Sequence, residues 1–239
     1  METRMGIHYK MLDEEKITAI VLAAGNSIRY GKNRNKNFDI INGNPVLMYS
    51  LKAFDKNKYV DDIVVVVKKE EIEKVKEIIS ESDISKNIKI VLGGNNRKDS
   101  VYNAIKSIDS DIVIIQDGAR PLIKQKYINE CIENMNDYKG VAVGVKSKDT
   151  VKMLDNENVV INTTNRESTY LIQTPQCFRR SILVDMHEKY KNINVTDDCE
   201  LLEKDNYKIK VLDGDYTNIK ITTYDDLNIV KMFLKSAQE

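Results

Sequence analysis

"ITAIVLAAGNSIRYGKNRNKNF", residues 17–38, opens on seven apolar or β-branched residues and then turns polar at once. A run that short, continuous and β-branched reads as a strand buried on both faces, the kind found inside a parallel sheet. From Val21 to Phe38 the stretch holds two glycines, four cationic side chains and four asparagines, and the first acidic group is Asp39. A cationic loop after a buried strand has two readings: a phosphate-binding loop, or a solvated surface loop in a chain rich in Lys and Asn.

The strand is the first of a series. "DDIVVVV" (61–67), "IKIVL" (88–92), "DIVIIQ" (111–116) and "GVAVGV" (140–145) have the same character. Between them, 44–55, 70–80, 99–108 and 125–135 place apolar residues at helical spacing. Strand and helix in alternation predict a mostly parallel sheet wrapped by helices. The alternation falters after 145, where short alternating pieces surround a turn at Asp155-Asn156-Glu157-Asn158, and this predicts an inserted β-arm over about 149–175. It resumes with a helix over 179–190, a helix over 196–205 capped by Thr196 or Asp197, strands near 207–212 and 216–221, and a closing helix over 223–237.

At 239 residues the chain can bury a substantial core, and without a linker-like stretch it reads as one domain over 17–239 behind a poorly ordered extension, 1–16. Lys+Arg and Asp+Glu both number 37, which argues against nucleic acid or a membrane surface as partner. No run approaches the ~18 apolar residues of a membrane span. Three scattered cysteines, Cys131, Cys177 and Cys199, suit a reducing compartment, and with His8 and His187 they share no zinc-ligand spacing. The expectation is a cytoplasmic protein.

In an open parallel sheet the ligand crevice lies beyond the carboxyl ends of the strands. Three stretches fall there: 23–38, "GGNNRKDS" (93–100) and "DGARP" (117–121). "AAGNSIRYG" is neither a dinucleotide fingerprint nor a P-loop, whose sixth residue would be glycine where Tyr30 stands. Phosphate binding would therefore use backbone N–H groups near Gly25 with side chains such as Arg29 and Lys36. "GGNNRKDS" joins two glycines to a helix start at Asp99 or Ser100, which could meet a base or ribose or be a plain capped turn. Asp117 ends a buried strand, where it could hold Mg²⁺ or a sugar hydroxyl, or cap a helix.

The ordered set "LAAGNSIRYG", "NKNF", "GGNNRKDSV", "DGARPL", "DTV", "NRESTYLIQTPQCF", "TDD" and "NIKIT" resembles the cytidylyltransferases of the methylerythritol phosphate pathway of isoprenoid synthesis, from residue 17 to about 235. A near relative is the ribitol-5-phosphate cytidylyltransferase family; "AAG" and "DGARPL" favour the isoprenoid enzymes. The resemblance implies a three-layer α/β fold of nucleotidyltransferase (Rossmann-like) type, with a β-arm completing a neighbour's site in a homodimer. It implies transfer of a cytidylyl group from CTP to a sugar-alcohol phosphate, 2-C-methyl-D-erythritol 4-phosphate, with Mg²⁺ and release of pyrophosphate. By resemblance Arg29 and Lys36 stabilise the transition state, while Arg166 and Lys220 position the substrate phosphate. Ala23, Ala24, Gly25, Gly94, Asn95, Ser100, Asp117 and Gly118 would contact CTP. Arg120, Thr150, Thr174 and Thr196 would lie near the sugar phosphate.

The chain departs from the family's pattern at Asn35 (commonly proline), Asn37 (glutamine), Asn95 (often acidic) and Tyr170 (frequently tryptophan; tyrosine in the ribitol enzymes). The implied chemistry needs no general base, because a phosphate monoester is already largely dianionic at neutral pH, its second pKa being about 6. Its difficulty is repulsion between two polyanions, which cations must offset.

Overall fold

The computed structural model describes residues 14–26, 30, 31 and 35–236. Seven strands form the central sheet: β1 (Ile17–Leu22), β4 (Asp62–Val67), β5 (Ile88–Leu92), β6 (Ile112–Asp117), β7 (Gly140–Lys146), β10 (Tyr170–Arg179) and β11 (Ile209–Asp213). A two-residue pair, β2 (Ile40–Ile41) with β3 (Asn44–Pro45), and a hairpin, β8 (Lys152–Leu154) with β9 (Val160–Thr163), stand outside it. The order across the sheet is β11-β7-β10-β6-β1-β4-β5. Neighbours run parallel except β10, which is antiparallel to both β6 and β7.

Period-two alternation sorts the strand side chains into two layers. Ile17, Ala19 and Val21 of β1, Ile63, Val65 and Val67 of β4, and Ile112 and Ile114 of β6 point to one face. Ile20, Val64, Val66, Val113 and Ile115 point to the other. On the first face lie α1 (Val46–Asp55), α2 (Ile72–Ser80) and α4 (Gln125–Glu133), presenting Leu47, Leu51, Phe54, Val75, Ile128 and Ile132. On the second lie α3 (Arg97–Lys106), α5 (Arg180–Lys189) and the short α6 (Cys199–Glu203), presenting Val101, Ala104, Ile105, Leu183 and Leu202. The spacing Val101-Ala104-Ile105 is one helical stripe, and its burial against the sheet, more than propensity, holds α3. The three-layer α/β architecture expected from the sequence is therefore present.

Several local expectations are corrected. α1 opens at Val46 and not at residue 44, because Asn44 and Pro45 pair with Ile41 and Ile40. α3 starts at Arg97, ahead of Asp99 or Ser100: Asn96 is its N-cap and accepts a bond from Asp99 N at 2.8 Å. α6 is confined to Cys199–Glu203, with Asp197 Oδ1 taking Glu200 N at 3.1 Å. Residues 216–221 are no strand. Asp215 folds the chain into a turn there by accepting Thr217 N on its side chain and Asn218 N on its carbonyl. Ile221, apolar for a different reason, packs with Val46, Leu227 and Val230 under α7 (Tyr224–Ser236). Of the N-terminal extension, residues 1–13 lie outside the described residues; Glu15 pairs with Arg179 and Lys16 with Asp62. Among the described residues no helix is long and apolar enough to cross a membrane.

Candidate active site

From β1 the chain steps outward through β4 to β5, then returns to place β6 on the other side of β1. That reversal opens a crevice at the carboxyl ends of β1 and β6, where Leu22 and Asp117 are register partners. A cavity of about 490 Å³ lies there. Its walls are the turn after β1 (Ala24, Gly25, Asn26), the loop before α3 (Gly93–Arg97, with Ser100), Lys36 and Asn37, and Asp117 with Lys220. Lys68 and Lys69, just past the end of β4, close another side.

The β1 turn is fastened by amides. Asn35 Nδ2 donates to the Ala23 carbonyl at 2.6 Å and to Glu71, and Asn37 Nδ2 donates to the same carbonyl at 3.2 Å. Asn35 also caps the 3₁₀ turn Lys36–Phe38, so Lys36 leaves a short, tied segment. Gly118 makes this packing possible, since a Cβ there would lie 2.9 Å from Asn37 Oδ1 and 3.0 Å from the Leu22 carbonyl. Gly94 is held by the Ser100 hydroxyl, which accepts its N–H at 3.0 Å while donating to the Asn96 carbonyl.

Asp117 is the electrostatic centre. Lys220 Nζ lies 2.9 Å and Arg120 Nε 3.3 Å from its Oδ2, and its backbone N–H bonds Thr174 Oγ1 at 3.1 Å. Burial by itself would raise its pKa, but Lys220, Arg97 and Arg120 outweigh burial and hold the carboxyl well below the usual carboxylate range. Arg120 also donates to the Asn218 carbonyl at 2.6 Å, which ties β6 to the segment carrying Lys220. Five cationic side chains thus border one cavity, Lys36, Lys68, Lys69, Arg97 and Lys220, against two acidic ones, Glu70 and Asp117. Such a space suits a polyanion.

The structure gathers Ala24, Gly25, Lys36, Gly94, Asn95, Ser100, Asp117 and Lys220 on the cavity. Ala23 and Gly118 stand behind it as backbone anchors, and Arg120 and Thr174 bond Asp117 from behind. Thr196 is exposed on the approach to α6, its N–H bonded to Glu200. Thr150 and Arg166 are exposed on the arm and do not line the cavity. Arg29 lies outside the described residues. Sequence reasoning missed Arg97, Lys68 and Lys69. The pair Lys68-Lys69 could have been found by the same strand-end rule, since it follows the buried run of β4 directly. Lys98 was missed too, with its Nζ buried against the carbonyls of Tyr190, Lys191 and Ile193.

A crevice at the reversal of a parallel sheet, walled by cations and one ionised aspartate, is what an α/β nucleotidyltransferase needs to hold a polyanionic nucleotide. A family's sequence profile decides which: the chain belongs to the 2-C-methyl-D-erythritol 4-phosphate cytidylyltransferase family, whose profile matches residues 17–236. It is 43% identical over 224 residues to the enzyme of that name from Caldanaerobacter subterraneus subsp. tengcongensis, covering 92% of this chain and 99% of that protein. It is 42% identical over 223 residues to that of Clostridium perfringens, covering 92% and 99%. The crystal structure of the 4-diphosphocytidyl-2C-methyl-D-erythritol synthase of Anaerococcus prevotii superposes with a TM-score of 0.85 at 34% identity, covering 95% of this chain and 99% of that one.

Proposed function

We propose that this cavity binds CTP and transfers its cytidylyl group to 2-C-methyl-D-erythritol 4-phosphate, a step of isoprenoid precursor synthesis by the non-mevalonate route. The observation that carries the reading is the convergence of Lys36, Lys68, Lys69, Arg97 and Lys220 on one cavity in a chain of zero net charge. An oxygen of the sugar phosphate attacks the α-phosphorus of CTP; the new P–O bond forms as the bond to the β-phosphate oxygen breaks, and pyrophosphate leaves with the electron pair. Lys36 and Lys220 offset the charge that builds on the phosphoryl oxygens, and Lys220 holds its place through Asp117. Gly94 and Ser100, fixed against the N-terminus of α3, face the nucleoside.

The donor set fits Mg²⁺. Mg²⁺ takes one or two carboxylates and completes its shell with phosphate oxygens and water, and the cavity offers Asp117 and Glu70 beside the space for a triphosphate. Asp117, the ionised carboxylate on the cavity, would be the side chain to help hold such an ion. When bound it would neutralise triphosphate charge. The test of the function is turnover. With CTP, pyrophosphate release is expected with 2-C-methyl-D-erythritol 4-phosphate and at least tenfold more slowly with ribitol 5-phosphate; the reverse order would reassign the enzyme to polymer synthesis.

The partner is a second copy, met through the arm. Met153, Leu154, Val159, Val160 and Ile161 are all exposed on the β8–β9 hairpin, an apolar surface unusual for a monomer. Arg166 and Thr150 ride on the same arm and are exposed, and in such a dimer they would serve the neighbour's cavity. Mixing Arg166→Ala with Lys36→Ala protein is then expected to restore activity through hybrid dimers, toward a quarter of the wild-type rate on random exchange. No recovery after proven subunit exchange would mean each site is built from one chain. The three cysteines are all buried and unpaired, in keeping with work in the cytoplasm.

A further inference from the structure

Arg97 borders the cavity, and its Nη1 bonds Asp198 Oδ2 at 2.5 Å. Asp198 is fully buried. Its other oxygen, Oδ1, is 3.0 Å from His187 Nε2, on the last turn of α5. His187 is itself buried, stacked on Tyr102 of α3 with ring centroids 5.7 Å apart. Three residues far apart in sequence therefore form one line from the nucleotide cavity to the back of the second helical layer.

The chemistry of the line fixes its direction. A buried carboxylate is stable only when paired and fully hydrogen-bonded. Arg97 supplies the charge for Asp198 and His187 supplies the second bond. An ionised carboxylate can only accept, so Nε2 is the donating nitrogen of His187. His187 Nδ1 is buried without a partner, which favours a bare lone pair there over an unpaired N–H and so the neutral Nε2–H tautomer. Lys98, next along α3, grips the carbonyls of Lys191 and Ile193 and so fixes the loop that delivers Asp198.

We propose that His187 is a positioning residue: by holding Asp198 it sets the Arg97 guanidinium in the orientation that receives the nucleotide. The inference rests on the CTP reading of the cavity. Without the Nε2 donor the Asp198 carboxylate is free to pivot about its bond to Arg97, and the guanidinium swings with it. Nucleotide affinity then falls while the reacting groups, Lys36 and Lys220, keep their places.

The test compares His187→Leu, which keeps the volume and removes the donor, with His187→Gln, whose amide can donate from nearly the place of Nε2. His187→Leu is expected to raise KM and the directly measured Kd for CTP about tenfold, the worth of one hydrogen bond to a charged group, with kcat at saturating CTP within about twofold of wild type. His187→Gln is expected to stay within about twofold of wild type in all three. Equal loss in both variants would mean His187 only fills space, and unchanged CTP affinity in His187→Leu would mean it does nothing for Arg97; either overturns the proposal. Should His187→Leu fail to fold, the wild-type protein decides. The imidazole nitrogen NMR signals of His187 are expected to report the Nε2–H tautomer and to shift as CTP is added. An Nδ1–H tautomer, or signals indifferent to CTP, would overturn it. A wild-type protein that binds CTP without transferring it refutes the proposed reaction alone; one that binds no CTP refutes both.

Discussion

Lys36→Ala is expected to lower kcat at saturating CTP by roughly 10²–10³-fold, about 2.7–4 kcal/mol of transition-state stabilisation, with a much smaller change in the KM for CTP. The size follows from preorganisation. Lys36 begins a 3₁₀ turn capped by Asn35, and the amides of Asn35 and Asn37 tie that turn to the Ala23 carbonyl at the end of β1. The ammonium is thus held near the cavity before substrate arrives and need not be recruited from solvent. A charge fixed beforehand stabilises the growing charge on the α-phosphate more than it stabilises the bound triphosphate, so the loss falls on turnover. Pyrophosphate release under saturating CTP measures it. Turnover near wild type would return the loop 23–38 to a solvated surface role.

Asp117→Ala is expected to remove activity and to destabilise the fold by roughly 3–5 kcal/mol, the penalty of stripping one partner from a buried ion cluster. Arg120 is buried, Lys220 is half-buried, and Arg97 lies near enough to feel the same carboxylate. Without it three cations face one another with one ionised neighbour, Asp198, left to serve them. For a chain of this size the melting temperature should fall by about 10 °C. The effect has a pH signature of definite sign. A carboxyl held below its unfolded value of about 3.9 contributes stability above that pH and loses it as pH falls toward the folded value. The stability gap between wild type and Asp117→Ala should therefore be full at pH 6 and shrink below about pH 4. A gap that stays constant into acid would mean that the ion cluster contributes nothing and packing alone was lost.

The interior of the fold was legible because its strands are buried on both faces, and double burial forces unbroken β-branched runs such as Val64–Val67 and Ile112–Ile115. Segments 216–221 and 44–45 were misread for the complementary reason. Ile219 and Ile221 are apolar because they pack under α7, not because they join a ladder, and alternation cannot tell the two apart. At the site, the strand-end rule reached Asp117 and Gly94, since a polar residue closing an apolar run is a local signal. Lys68 and Lys69 close the run of β4 in the same way and were passed over, whereas Arg97, inside the first turn of α3, gave no such signal. A single cation looks the same on a surface as in a cavity, and only the pairing of β4 with β5 beside β1 brings these three together. The Arg97–Asp198–His187 line is less local still, because no motif spans positions 97, 187 and 198.

The arm leaves the body at Ser147 and returns at Thr169, and those two residues share a backbone hydrogen bond, Ser147 N to Thr169 O at 2.9 Å. Its outgoing and incoming ends are therefore side by side, and the hairpin springs from one seam, with Lys148 resting on the Tyr216 ring beside it. The hairpin beyond that seam can lengthen or shorten without altering the distance any core strand must cover. Just inside it, β10 runs on between β6 and β7, and Thr174 bonds the backbone of Asp117. The seam thus separates a segment whose length is free to drift from strands whose spacing is not, with the border drawn at a single pair of residues.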